Sequence, residues 1–407
     1  MAGSGLRPQY RNDSGEPVIR REEGFTLVEL MITMVMFLLV LSATSGIFSA
    51  LLNQFKQQSK IAETDIEGVV GLEMLRQDIE SAGYGLPWDM GGNAYLEADV
   101  NNTTTWVDRD LNDGPPNNPA RGADVAGASN PPGAVRALDN VAMNNTSDVL
   151  SIKSASVAKN GASQKWTELA FGGVTKNGLS GETFLNSDSV TVLSLIGNTF
   201  SLVGATVFSN IASLAPLGSR ETRIVYGVDP NTNPLRFPFN RADYYVRVPT
   251  TVPNRCATGT SAGTDRGTGV LYKGVVSQAD GTFGAIMPDG TYPNELPLLD
   301  CVASMQVVFG LDQLGNGTIS YKDAGWLQTY TAADIRSQLK EVRVYILAQE
   351  GQRDPNYTFT NFTGGCPTCI KVGETGMGGN DFDLTAIKYY QNYRWKLYTI
   401  VARPGFI

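Results

Sequence analysis

The sequence predicts an α+β protein: one long N-terminal helix, apolar in its first half, packed on a β-rich globular head with long loops. Three observations carry that expectation. No charged side chain lies between Leu30 and Phe55, a run longer than the ~20 apolar residues that cross a bilayer. Ala62, Ile66, Val69, Leu72, Leu75, Ile79 and Ala82 then recur every three or four positions, the spacing of one helix face. From about Asp148 onward the helical period gives way to short alternating or β-branched runs bounded by turn residues.

Composition narrows the function before any motif does. The chain has 407 residues, 42% hydrophobic and 18% charged, with a formal net charge of -8. An acidic balance argues against nucleic-acid binding through phosphate neutralisation. There is no histidine, which removes Ser-His-Asp triads, Cys-His pairs, His-ligated zinc and the commonest general base together.

Residues 1–24 are polar, with Arg7, Arg11, Arg20 and Arg21 set against Asp13, Glu16, Glu22 and Glu23. A secretory signal places its small cleavage-site residue after the apolar run. Here Gly24 stands before it, so a cut there removes the leader and leaves the apolar helix on the mature chain. Glu29 sits at the start of that helix, where a carboxylate is costly and usually paired. It either lies at headgroup depth or meets an α-amino group, that of Phe25 after cleavage or that of a neighbouring chain.

Gly24-Phe25-Thr26-Leu27-Val28-Glu29 ahead of a long apolar helix resembles the prepilin cleavage motif of type IV pilins and type II secretion pseudopilins. The resemblance implies that a prepilin peptidase cuts after Gly24 and methylates Phe25. It gives Glu29 the assembly role, in which its carboxylate meets the N-terminus of an adjacent subunit as the helix enters the fibre. The fold it implies is pilin-like. A helix from Phe25 to about Ala82 is roughly 85 Å long at ~1.5 Å per residue, and Gly83, Gly85 and Pro87 end it. Glu73, Arg76, Asp78 and Glu80 are expected largely on the side away from its apolar stripe.

The expected organisation is a leader over 1–24, a transmembrane or fibre-core helix over 25–55 and its amphipathic continuation over 56–86. A polar Asn/Pro/Gly-rich excursion over 87–147 and a β-rich head over 148–407 follow. Strands are expected at Val149–Ile152, Ser189–Leu193, Phe200–Val203, Glu221–Tyr226, Ala303–Phe309, Val342–Leu347 and Tyr393–Val401, with Gly197-Asn198 turning a hairpin. The order of Ser147–Ile152, Val270–Lys273, Leu298–Asp312, Val342–Leu347 and the closing Tyr393–Arg403 strand resembles the PilW-type minor pilins. Such proteins often end that last strand in Arg-Asn, whereas this chain has Arg403-Pro404.

Two further patterns carry chemistry. Cys366-Pro367-Thr368-Cys369 is a C-x-x-C, but the glycines before it and Ile370-Lys371-Val372 after it predict no redox helix. Outside the cytoplasm the plain expectation is two structural disulfides. Of the three connectivities, proximity selects Cys366–Cys369 and Cys256–Cys301. Asp312-Gln313-Leu314-Gly315-Asn316-Gly317 through Asp323 resembles a calcium loop, with Asp312, Asn316 and Asp323 as ligands. Leu314 occupies a ligand position there, and a hairpin turn is the competing expectation. No other cofactor is called for, and no phosphate loop or nucleophile elbow supports an enzyme.

The resemblance points to a non-enzymatic minor pilin that acts in pilus assembly at or near the fibre tip. A large tip pseudopilin of a type II secretion system and an adhesin acting through the 89–147 region are the alternatives. The implied partners are the major pilin, other minor pilins, the prepilin peptidase and the inner-membrane assembly platform. The implied location is the bacterial inner membrane, head outside the cytoplasm, and then the extracellular fibre.

Overall fold

The computed structural model describes residues 25–98, 111–113, 130–142, 146–158, 160–177, 183–228, 235–260, 267–288 and 290–405. The chain divides into two compact units, Met1–Lys56 and Gln57–Ile407. In the first, the described structure is the start of α1 (Leu27–Glu80). Leu27–Ala62 is apolar and long enough to cross a membrane. Two of its hydroxyls bond to the helix itself: Thr33 Oγ1 donates to the Leu30 carbonyl at 2.9 Å and Thr44 Oγ1 to that of Val40 at 2.7 Å. That leaves neither hydroxyl unpaired in hydrocarbon.

The second unit contributes β1 (Val135–Ala142), β2 (Ser147–Ser154), β3 (Trp166–Ala170), β4 (Gly173–Asn177) and β5 (Ser189–Ile196). Next come β6 (Thr199–Val207), β7 (Thr222–Val228), β8 (Asn240–Arg247), β9 (Gly269–Val275) and the long β10 (Glu295–Leu311). β11 (Ser320–Asp323), α2 (Ala332–Gln338), β12 (Leu339–Glu350), β13 (Cys369–Glu374), β14 (Gly378–Asp383) and β15 (Arg394–Ala402) complete it.

An antiparallel sheet in the order β1-β2-β8-β9-β10-β12-β15, with β11 on β10, forms the platform. The segment between β2 and β8 folds into its own five-stranded sheet, β4-β3-β7-β5-β6. Gly197 takes φ +67° in the turn that joins Ile196 to its partner Thr199, as the Gly-Asn pair predicts. Side-chain alternation divides the platform's two faces. Val342, Val344, Ile346 and Ala348 of β12 join the main core, while Tyr345 and Leu347 join a second core beneath β13 and β14.

The C-terminal part of α1 packs on the main core through Leu72, Leu75, Ile79 and Ala82. Gly71 lies directly against the Leu298 backbone of β10. Gly83 (φ +87°) and Gly85 (φ +72°) turn the chain out of the helix, and the Gly83 N–H donates to the Lys153 carbonyl of β2 at 3.0 Å. Asp78 departs from the expected polar side: it is fully buried and accepts from the Tyr244 hydroxyl and the Lys273 ammonium. The helical wheel places Asp78 near the edge of the stripe, and two cationic or hydroxyl donors on β8 and β9 draw it in.

β structure begins earlier than Asp148. β1 was hidden because Arg136, Asp139 and Asn140 interrupt its apolar pattern, yet Arg136 is buried. Nor is the expected excursion simply solvated, since Leu111, Glu97, Asn112 and Asp113 are buried. The expected disulfide and metal residues lie on this second unit.

Between its pairings with β9 and β11, β10 is served by side chains instead of a strand. Ser147 Oγ accepts from the Met305 N–H at 3.0 Å, and Asp148 Oδ2 accepts from the Val307 N–H at 2.7 Å. Asp148 Oδ1 accepts from the Asn140 N–H at 2.9 Å. Burial pushes the Asp148 carboxyl up to about 8, against the pull of those two N–H donors, with Asp139 and Asp323 adding to the rise. The folded value lies above the unfolded ~3.9, so the folded chain holds a proton that the unfolded chain has lost. The stabilisation is complete below about pH 4 and disappears as pH rises towards 8. The difference in melting temperature between the natural chain and Asp148→Asn should therefore shrink or reverse from pH 4 to 8. A pH-independent difference would contradict a neutral Asp148.

Candidate processing and assembly site

Gly24 lies outside the described residues. Phe25 is strongly exposed, and the helix starts two residues later. Thr26 Oγ1 accepts from the Glu29 N–H at 3.2 Å and donates to Glu29 Oε2 at 3.4 Å. Thr26-Leu27-Val28-Glu29 thus reads as an S/T-x-x-E capping sequence. That signal was present in the sequence beside the cleavage motif, and it explains why the helix begins where it does. The carboxylate also sits in the first turn, where the helix dipole favours negative charge. Glu29 is exposed and within one turn of Phe25. The geometry can present a carboxylate to an amine at the end of an apolar helix; among the described residues no cation pairs with it.

On the second unit the cysteines form Cys256–Cys301 and Cys366–Cys369. Cys301 has φ +56° at the register break of the β9–β10 ladder, between Leu299 and Val302. In the chain-entropy account the 45-residue separation contributes about 4 kcal/mol and the 3-residue one about 2 kcal/mol.

At the residues of the resembled calcium loop the backbone forms the competing turn. Asp312 accepts from the N–H groups of Asn316 (3.1 Å) and Gly317 (3.0 Å), and Asn316 Oδ1 accepts from the Thr318 N–H at 2.9 Å. Asp323 pairs with Val308, three ladder steps from the Leu311–Ser320 pair, about 10 Å along a strand. Its Oδ1 accepts instead from the Gly379 N–H at 2.9 Å. Two of the three expected ligands cap a hairpin turn, with Gly315 and Gly317 at positive φ, and the third belongs to another contact.

Sequence reasoning missed a buried ionic cluster that fixes the excursion to the platform. Lys153 reaches Glu97 at 2.7 Å and also Asp113. Arg241 reaches Glu97 at 3.0 Å and Asp243 at 2.8 Å. Arg136 pairs with Asp113 and donates to the carbonyls of Leu327 (3.1 Å) and Tyr330 (2.7 Å). Among the described residues three cations face three carboxylates, all buried. Nothing in a polar, proline-rich stretch signals it, because the partners lie far apart along the chain.

Comparison with known proteins identifies the N-terminal segment: residues 19–45 match the prokaryotic N-terminal methylation motif. No curated protein and no solved structure matches the chain. The motif is typical of type IV pilins and pseudopilins; it implies processing by a prepilin peptidase and a pilus or secretion assembly context. It is consistent with an inner-membrane prepilin that later enters a pilus. The chain thus joins a methylation motif at its N-terminal segment to a long apolar helix and antiparallel β-sheets, a pilin-like α+β architecture.

Proposed function

We propose that the chain is a minor pilin of a type IV pilus, of the PilW type, which acts without enzymatic chemistry in pilus assembly at or near the fibre tip. The observation that carries this reading is the methylation motif at residues 19–45 in front of a head that runs from Gln57 to Ile407. Cleavage after Gly24 frees the α-amino group of Phe25, and methylation keeps it a cation. Glu29 then pairs with such an amine on an adjacent subunit, which removes the cost of a lone carboxylate in an apolar fibre core. A head of this size, with an added five-stranded sheet and a clamped excursion, suits a terminal position better than repeated stacking along a shaft. The partners are the major pilin, other minor pilins, the prepilin peptidase and the inner-membrane platform.

Mass spectrometry of the N-terminal peptide, from membranes and from sheared surface fibres separately, tests this. The expected result is a peptide beginning at methylated Phe25 in the fibre fraction. An uncut chain confined to membranes, in cells whose major pilin is processed, would sink the proposal. A deletion strain that keeps its pili but loses protein secretion would instead identify a tip pseudopilin of a type II secretion system.

A further inference from the structure

We propose that the short cysteine loop of the head is a redox-gated site for a thiophilic divalent cation of the zinc class, held by Cys366, Cys369 and Asp383. One carboxylate oxygen of Asp383 and both sulfurs lie within 4.8 Å of one another. Zinc bonds of about 2.3 Å to sulfur and about 2.0–2.2 Å to carboxylate oxygen, arranged tetrahedrally, place ligand atoms roughly 3.5–3.8 Å apart. Once the S–S bond opens, small side-chain rotations complete that geometry, and water fills the fourth position on the exposed side.

The scaffold holds these groups in place without the disulfide. Cys369 and Asp383 are directly opposite in the β13–β14 ladder. The Gly364 N–H donates to the Cys369 carbonyl at 3.0 Å, and the Cys369 N–H to the Cys366 carbonyl at 3.2 Å. The Thr368 hydroxyl (2.8 Å) and the Thr385 N–H (3.0 Å) both donate to Asp383 Oδ1, which leaves Oδ2 for a cation. Neighbouring Asp381 is engaged by the Gly365 N–H at 2.9 Å.

The two disulfides differ in what a reductant meets. Cys301 is fully buried and Cys256 nearly so, whereas Cys366 is partly exposed. A small dithiol therefore reaches the Cys366 sulfur first. Its thiolate attacks, its second thiol closes the reagent's own disulfide, and two electrons and two protons pass to Cys366 and Cys369. The cation then displaces both protons as it binds two thiolates. A strand follows Cys369 where redox proteins open a helix, so no helix N-terminus acidifies either thiol. That favours metal capture over disulfide exchange as the loop's chemistry.

The test uses the full chain in detergent, treated with dithiothreitol, with alkylation mapping to show which cysteines open, and then Co²⁺ as the probe. One equivalent of Co²⁺ should give a thiolate-to-metal charge-transfer band in the reduced chain and none in the oxidised chain. Cys366→Ser should abolish the band. Asp383→Asn should weaken binding by about tenfold or more with an unchanged circular dichroism spectrum. A reduced chain that takes up no Co²⁺, or a band that survives Cys366→Ser, overturns the site. Opening of Cys256–Cys301 before Cys366–Cys369 overturns the gating.

Discussion

Lys153→Met should destabilise the head by about 3–5 kcal/mol, the usual cost of breaking a buried ion pair by removing one partner. Lys153 is completely buried, and its ammonium bridges Glu97 and Asp113. Methionine has nearly the same length and fills the same volume, so packing changes little. What changes is charge: among the described residues three buried carboxylates then face two guanidinium groups. The double variant Lys153→Met with Asp113→Asn removes one charge of each sign and should recover more than half of the loss. Denaturant unfolding of the four chains of this cycle gives the coupling directly. A single-variant cost below about 1 kcal/mol would mean that the cluster behaves as if it were at the surface. Because Glu97 and Asp113 come from the excursion, protease cleavage between Glu97 and Asn130 should accelerate in the single variant and return towards normal in the double one.

Gly71→Ala should lower the melting temperature by several degrees, although alanine is the better helix former by about 1 kcal/mol. A Cβ on Gly71 would stand 2.7 Å from the Leu298 carbonyl carbon and 2.9 Å from its Cα, with the carbonyl oxygen closer still. These are backbone atoms of β10, so the helix itself must move away. Overpacking of this kind costs typically about 1–3 kcal/mol, and here it also draws Asp78 away from Lys273 and Tyr244. Gly68→Ala is the internal control. Its Cβ would meet Leu299 Cδ1 at 3.4 Å and the Tyr398 hydroxyl at 3.5 Å, ordinary contact distances. That variant should melt at or slightly above the natural temperature. Equal effects at the two positions would refute the close approach.

The elements legible in the sequence are those whose cause is local. α1 follows from an uninterrupted apolar run and then a three-and-four repeat, and it starts just after Thr26 because a threonine and a glutamate three residues apart cap it. β10 and β12 follow from alternation between two cores, and the β5–β6 hairpin from a glycine that tolerates positive φ. The cleavage motif and Glu29 are likewise contiguous in sequence. β1 was not legible, because Arg136 reads as a surface residue until Asp113 and two carbonyls are known to surround it. The turn at Asp312 could be read either as a metal loop or as a hairpin, since both require carboxylates and glycines at similar spacing. Only the position of Asp323 on a paired strand separates them.

The sequence by itself therefore determined the helix, its first half long and apolar enough to cross a membrane, and the methylation motif, because hydrophobic periodicity and a contiguous motif act over a few residues. The tertiary structure alone decided that the polar stretch after Pro87 is anchored, that Asp78 faces the sheet, and that Asp383 stands beside the short disulfide. Each of those depends on charges brought together from distant parts of the chain. A buried charge is tolerated only where its partner is in place, and that partner is a property of the fold.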